Sequence, residues 1–184
     1  MNRSSGPVTW LPKVVRIKIS VMKSEKFKKP DSKLIHGLIV HPLKVIPDER
    51  GRVMEIMRRD DPFFSGFGQV YVTTVYPGIV KAWHFHKIQE DRFTCVRGMV
   101  KAVFYDERDD SPTRGYINEI YVGEHNPCLI IIPSGIYHGW KCIGDCEAYV
   151  INIPSEPYNR SDPDEYRIAP HSGQIPYDWT TRDG

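Results

Sequence analysis

Residues 34 to 184 predict an all-β fold, a sandwich or a barrel. Three observations carry that reading. Short runs rich in Val, Ile, Tyr and Thr recur along the chain. Gly, Pro and Asp clusters separate them at regular intervals. No stretch sustains helical periodicity beyond two turns. Many short strands with regular turns are the pattern of two packed sheets or a closed one.

Taken in order, residues 1–33 read as a polar arm. Lys23, Lys26, Lys28, Lys29 and Lys33 precede any patterned segment. From residue 34 the runs are "LIHGLIVHPLKVI", "GQVYVTTVY", "GIVKAWHFH", "RFTCVRGMVKAVFYD", "YINEIYV", "PCLIIIP" and "CEAYVINIP". "VRGMV" predicts a hairpin around Arg97-Gly98. "VMEIMRRDDPFF" comes closest to a helix, and its "DDP" would stop one. From about residue 154 the chain turns rich in Pro, Asp and Tyr. It is too aromatic for simple disorder, and it reads as an ordered wrap over the barrel with one short helix.

Composition narrows the function. The chain has 184 residues, enough for one domain with a real core. A net charge of +2 gives no bulk reason for nucleic acid binding. No apolar run approaches the roughly 20 residues that span a bilayer, and "VTWLPKVVRIKIS" lacks the features of a secretory signal. The expected compartment is the cytoplasm. Cys95, Cys128, Cys142 and Cys146 show no paired C-x-x-C spacing, and reduced thiols are expected there. His138, Cys142 and Cys146 stand four apart, but in a strand and turn that spacing does not build a metal ridge.

The chemistry concentrates in "KAWHFHKIQE", residues 81–90. In a strand, alternate side chains share a face. His84 and His86 therefore point one way with Ala82, and Trp83 and Phe85 the other. Two histidines beside a small alanine make a roomy inward-facing site. The plainer reading has the histidines at the surface and Trp83 and Phe85 in the core. "IPSGIYHGW" favours the site, because it sets His138 after a tight turn where it can converge on the first pair.

These segments resemble the cupin signature. That family's first motif is Gly, five residues, His-x-His, three or four residues, Glu, then six residues to Gly. The chain offers Gly78, His84-Phe85-His86, Glu90 and Gly98. The second motif is Pro-x-Gly, two residues, His, three residues, Asn. Here stand Pro133-Ser134-Gly135, His138 and, in place of Asn, Cys142. The resemblance implies a jelly-roll β-barrel. It also implies one candidate metal site, His84, His86, Glu90 and His138, suited to a divalent transition metal.

A longer likeness is to the dTDP-4-dehydrorhamnose 3,5-epimerases, a branch of the cupin jelly rolls, over residues 37 to about 179. "DERG" with Glu55 matches that family's Asp-x-Arg-Gly…Glu signature. "GQVYVTTVYPGIVKAWHFH" matches its "Q-x-N…G-V-L-R-G-L-H-Y-Q" segment from Gln69 to His84. "DDSPTRG" matches "SPTFG", "IPSGIYHGW" matches "IPPGFAHGF", and "EPYNRSDPDE" resembles "YYAPEHERG". Five ordered motifs are more specific than any one. The resemblance implies a homodimer acting on a nucleotide-diphosphate sugar, a dTDP-linked 4-keto-6-deoxy sugar, without a metal or other cofactor. It implies a catalytic base at His84 and a pocket histidine at His138. A diphosphate contact falls at Arg50, and a lysine, Lys81, stands for a substrate-binding arginine. Lysine keeps the charge and loses the bidentate fork.

The chain departs from that pattern at the acid. The family's opposite-face tyrosine falls on Asn152 or Ile153. The aspartate behind the histidine has no counterpart except Asp183, which comes too soon after "IPYDW". Tyr71, Tyr137, Tyr149 and Tyr158 are the replacements at hand, with Tyr149 at the wrong strand parity relative to Asn152. The expected site is thus His84, His86 and His138 for chemistry, with Arg50, Glu55, Gln69, Tyr71, Lys81, Asn152 and Tyr158 for substrate. "HFHK" also resembles the His-x-His-Lys element of dTDP-sugar 3,4-ketoisomerases, in which one face moves the proton. A metal-dependent cupin enzyme and a sugar-nucleotide-binding protein without turnover fit the same residues. Glu90, in "QED", also reads as a solvated loop carboxylate.

Overall fold

The computed structural model describes residue 31 and residues 33–181. Apart from Asp31 and Lys33, the expected polar arm lies outside the described residues, as does Asp183. The twelve strands are β1 (Ile39–Pro42), β2 (Val45–Asp48), β3 (Gly51–Met54), β4 (Tyr71–Val75), β5 (Val80–Phe85), β6 (Asp91–Arg97), β7 (Met99–Asp106), β8 (Ile117–Gly123), β9 (Cys128–Ile132), β10 (Ile136–Cys142), β11 (Ala148–Asn152) and β12 (Tyr166–Arg167). They form two five-stranded antiparallel sheets, ordered β1-β9-β6-β11-β4 and β12-β5-β10-β7-β8, with β2 and β3 as a separate ribbon. This is a jelly roll, and among the described residues the fold is all-β.

Three apolar layers explain the strand patterns. Between the sheets lie Phe93, Cys95, Val100, Phe104, Ile130, Ile132, Trp140 and Val150, the main core. The outer face of the first sheet carries Leu129 and Ile131, covered by Leu43, Met54, Ile56, Met57 and Phe63. That double covering explains why "CLIII" on β9 is apolar on both faces. The outer face of the second sheet carries Trp83, Val103, Tyr105 and Tyr137, and residues 168–179 lie over it through Ile168, Ile175, Tyr177 and Trp179. Trp83 is 1% exposed, with ring centroids 5.0 Å from Trp179 and 5.9 Å from Tyr177. The expected wrap is there, without the expected short helix: its prolines and the β12 pairing to β5 keep it extended or turned.

The hairpin expected at Arg97-Gly98 is not formed. β6 pairs with β9 and β11, whereas β7 pairs with β10 and β8, so this turn carries the chain between sheets. Gly98 has φ +72°, which suits glycine at a one-residue corner. A Cβ there would also stand 3.2 Å from the Ala148 backbone.

Candidate active site

β5 and β10 build the site floor. His138 on β10 stands opposite His84 on β5, and Trp140 stands opposite Lys81. Between those pairs Gly139 on β10 opposes both Ala82 and Trp83 on β5, a bulge. The extra residue breaks the alternation, so Lys81 joins His84 and His86 on the cavity wall. Gly139 permits the approach: a Cβ there would fall 2.3 Å from that of Ala82.

The cavity measures about 1020 Å³, at the top of the range for small-molecule sites, roughly 300–1,000 Å³. One wall is His84, His86, Lys81 and Trp140; the facing wall is Gln69, Tyr71 and Thr73 around β4. Residues 156–167 close a third side with Tyr158, Arg160, Glu165 and Arg167.

His84 is held neutral. Burial, then the neighbouring His138, Arg167 and His86, push its pKa down to about 3. Its ring meets His138 and Trp140 edge-on, both at 5.8 Å between centroids. His86 and His138 share a different partner, Asp91. Their Nε2 atoms lie 3.3 and 3.2 Å from Asp91 Oδ2. Each Nδ1 faces a main-chain carbonyl, that of Asp164 for His86 and that of Ile136, at 3.0 Å, for His138. Burial acts to raise the Asp91 carboxyl, but His138 and His86 outweigh it and hold it well below the carboxylate range. Burial acts to lower His86, and Asp91 with the Asp164 carbonyl lifts it above the ordinary imidazole value. Gln89 Nε2 donates to Asp91 Oδ1 at 2.7 Å. Asp164 fixes the turn by accepting from the N–H groups of Lys87, Ile88 and Gln89 at 2.8 to 2.9 Å.

Tyr71 comes from the opposite wall. Its hydroxyl accepts from Asn152 Nδ2 at 2.9 Å, while Asn152 Oδ1 accepts from the Arg92 N–H at 3.2 Å. Burial, with the charge of Asp91, raises the Tyr71 phenol to about 12. Asn152 is 1% exposed and stands behind the wall as a support for Tyr71. Of the other tyrosines, Tyr158 lines the cavity, Tyr137 faces the wrap, and Tyr149 lies against Arg97.

The sequence-predicted residues thus divide. His84, His86, Gln69, Tyr71, Lys81 and Tyr158 line the cavity, and His138 adjoins them. Arg50 and Glu55 do not line it: Arg50 pairs with Asp48 at 2.6 Å and Glu55 with Arg58 at 3.0 Å, all on exposed chain around β2 and β3. Glu90 does not join the histidines. Its Oε1 takes the buried Arg92 guanidinium at 2.8 and 2.6 Å, and Arg92 ties residues 65 and 66 to β6. The carboxylate among the histidines is Asp91, which sequence reading passed over. Its signal was present: four residues separate it from His86 and six from Gly98, the motif's own spacing with Asp for Glu. Arg160, Asp164 and Arg167 were also missed, because nothing local in "NRSDPDEYR" says which of its charges turn inward.

Comparison with known proteins points one way. The profile of the family described as dTDP-4-dehydrorhamnose 3,5-epimerase matches residues 32–183. A probable low-salt glycan biosynthesis epimerase of Haloferax volcanii is 42% identical over 147 residues, 79% of this chain and 94% of its own. A spore coat polysaccharide biosynthesis protein of Bacillus subtilis is 36% identical over 148 residues, 80% and 98% of the two chains. A solved dTDP sugar isomerase from Desulfovibrio desulfuricans superposes with a TM-score of 0.77 at 32% identity, covering 83% of this chain and 98% of that one.

Proposed function

The chain belongs to the dTDP-4-dehydrorhamnose 3,5-epimerase family, and from that premise we propose that it inverts carbon beside the ketone of a dTDP-linked 4-keto-6-deoxy sugar. The 4-ketone acidifies the C–H bonds at C3 and C5. His84, neutral and on the cavity wall, takes a proton from one face of the sugar ring. The developing enolate is held by the cations around the cavity, Lys81 and Arg167. Tyr71 returns a proton from the opposite face. The observation that supports this reading is that Tyr71 and His84 line one cavity from strands of different sheets, β4 and β5, with the Tyr71 hydroxyl held by Asn152. Where the family pattern sets a tyrosine at Asn152 or Ile153, this chain has Tyr71 on the neighbouring strand as the cross-strand partner of Asn152, and on this reading its phenol takes over the acid's part. An acid on the far face favours epimerisation over 3,4-ketoisomerisation, in which one face suffices.

For the nucleotide, two arginines join the expected Tyr158. Arg160 and Arg167 are the guanidinium groups on the cavity, suited to a diphosphate. Tyr158, half exposed at the rim, offers a face for the nucleobase. Solved proteins of this fold from Legionella pneumophila and Streptomyces bikiniensis hold dTDP-4-keto-L-rhamnose and dTDP-quinovose.

We further take the enzyme to be a cytoplasmic homodimer. Exposed Ile46 and Val53 on the β2–β3 ribbon and Val70 and Val72 beside the first sheet's edge support the dimer. Four unpaired cysteines suit a reducing compartment. Among the described residues no helix is long and apolar enough to cross a membrane.

The test is solvent exchange. Incubation with dTDP-4-keto-6-deoxyglucose in deuterated water should place deuterium at C3 and C5 and yield inverted product. Migration of the ketone to C3, or tight binding without exchange, would overturn the reading.

A further inference from the structure

We propose that Lys81 and Thr73 form a strap between β5 and β4 that sets the spacing of Tyr71 and His84, with Thr73 as a positioning residue. The strap itself is a matter of bond geometry. Its consequence for inversion rests on the reading of Tyr71 and His84 as acid and base.

β4 and β5 follow one another in the chain and then diverge. They leave one turn, in which the Ile79 N–H donates to the Tyr76 carbonyl at 3.1 Å, and they enter different sheets. The cavity opens between them, with Tyr71 and Thr73 on β4 and Lys81, Ala82 and His84 on β5. β5 is held on both sides, by β10 and by β12. β4 is an edge: among the described residues its strand partner is β11 alone. Backbone pairing therefore fixes β4 within its own sheet and leaves its distance from β5 to the turn and to side chains. An edge strand held on one side opens more readily than a central one.

Lys81 supplies the missing link. Its Nζ donates to Thr73 Oγ1 at 3.1 Å and to the Thr74 main-chain carbonyl at 2.5 Å. Two of the three ammonium donors are thus committed to β4, and the third is left for the cavity. Both bonds are charge-assisted, the stronger kind. The bulge at Gly139 is what permits them, because plain alternation would turn Lys81 away with Trp83. Position adds leverage. Strands rise about 3.3 Å per residue. Tyr71 stands two residues from Thr73 and His84 three from Lys81, so they lie about 7 and 10 Å along their strands from the strap. The strap is nearer the turn, and a small splay there grows towards the reacting groups. A misplacement of about 1 Å can cost about 10² in rate. Thr73 moves no proton itself and acts through Tyr71, its neighbour on the same face of β4.

The experiment compares Thr73→Val, Thr73→Ser and Lys81→Met with the wild-type full-length chain, near-ultraviolet circular dichroism confirming the fold of each. Valine keeps the shape of threonine without its hydroxyl, and serine keeps the hydroxyl. One readout needs no substrate: hydrogen exchange of the β4 amides bonded to β11. The other is the ratio of net inversion to solvent exchange on dTDP-4-keto-6-deoxyglucose. In Thr73→Val the β4 amides should exchange at least about tenfold faster while those of β10 hold, the loss of one bond to a charged group. The inversion-to-exchange ratio should fall about tenfold with KM changed less than about threefold. Thr73→Ser should restore both readouts to within about twofold of wild type. Lys81→Met, which cuts both bonds, should loosen β4 further than Thr73→Val does. Unchanged β4 protection in folded Lys81→Met would overturn the strap, whatever the substrate. A loosened β4 in Thr73→Val with an unchanged inversion-to-exchange ratio would overturn its link to the acid and base. Wild-type protein that exchanges no carbon-bound hydrogen would overturn the reading of function instead, and amide protection would still decide on the strap.

Discussion

Replacing Tyr71 with Phe separates the two halves of the proposed inversion. The change removes one oxygen and keeps the ring on the cavity wall. Its structural cost is small: Asn152 Nδ2 loses its acceptor at 2.9 Å, and one unmade hydrogen bond costs about 1 kcal/mol. For a domain of this size that lowers Tm by roughly 2–4 °C. The chemical cost is larger, because a positioned general acid contributes about 10²–10⁴-fold. Proton removal by His84 does not need the phenol, so exchange from solvent on the His84 face should persist within a few-fold. Net inversion should fall by at least about 10². The assay follows one reaction in deuterated water, with deuterium located by proton NMR and stereochemistry read from the ring couplings. With the phenol raised to about 12, wild-type inversion should show no loss from Tyr71 ionisation up to about pH 10. Inversion by Tyr71→Phe at close to the wild-type rate would refute the assignment. So would parallel loss of exchange and inversion in a variant that still binds dTDP.

Four further outcomes follow from other parts of the molecule. His84→Asn should abolish exchange at both carbons, by about 10²–10⁴, while dTDP affinity measured by calorimetry stays near wild type. Arg160→Ala should weaken dTDP binding by about ten- to a hundredfold, the worth of a charge-assisted hydrogen bond, and the loss should shrink at high salt. Trp83→Ala empties the layer between the second sheet and the wrap, and should cost about 3–5 kcal/mol in urea unfolding. Asp106 gives a pH dependence of stability. Burial acts to raise its carboxyl, but Arg108, Ser111 and Thr113 outweigh it and bring it to about 2 from 3.8. A depressed folded-state value stabilises above the unfolded pKa, so about 2 kcal/mol should vanish as pH falls from about 4 to about 2. Asp106→Asn should flatten that part of the curve, and an unchanged slope would count against the network.

The fold was legible because its strands carry their own punctuation, and the turns between sheets were not. A glycine between two apolar runs says that the chain bends. Whether the runs then pair depends on contacts from β9, β10 and β11, residues 30 or more positions away. That is why Gly98 reads as a hairpin and forms a corner. The wrap was visible in its aromatics, since Tyr177 and Trp179 need burial. Their partner Trp83 was visible in strand parity, since it must point away from His84. Parity failed at Lys81, because a bulge adds a residue that no local pattern announces.

Charges were the hardest to place, and Glu90-Asp91 shows why. Two adjacent carboxylates in a strand point to opposite faces, so one of them meets the histidines and the other does not. Sequence favoured Glu90 by residue type and Asp91 by spacing. The structure decides through a third residue, Arg92, a buried guanidinium that must have a carboxylate and takes Glu90. With Glu90 spent, Asp91 is left to the two imidazoles. The identity of the carboxylate between the two histidines is thus set by the charge requirement of an arginine outside the cavity. Arg92→Met tests that coupling. It should release Glu90 and residues 65–66 and lower stability, while the contacts of His86 and His138 with Asp91 stay as they are, read as unchanged imidazole chemical shifts of the two histidines by NMR. Shifted imidazole signals of His86 and His138 in a folded Arg92→Met protein would show that Arg92 also holds Asp91 in place, and that the two carboxylates do not divide their labour cleanly.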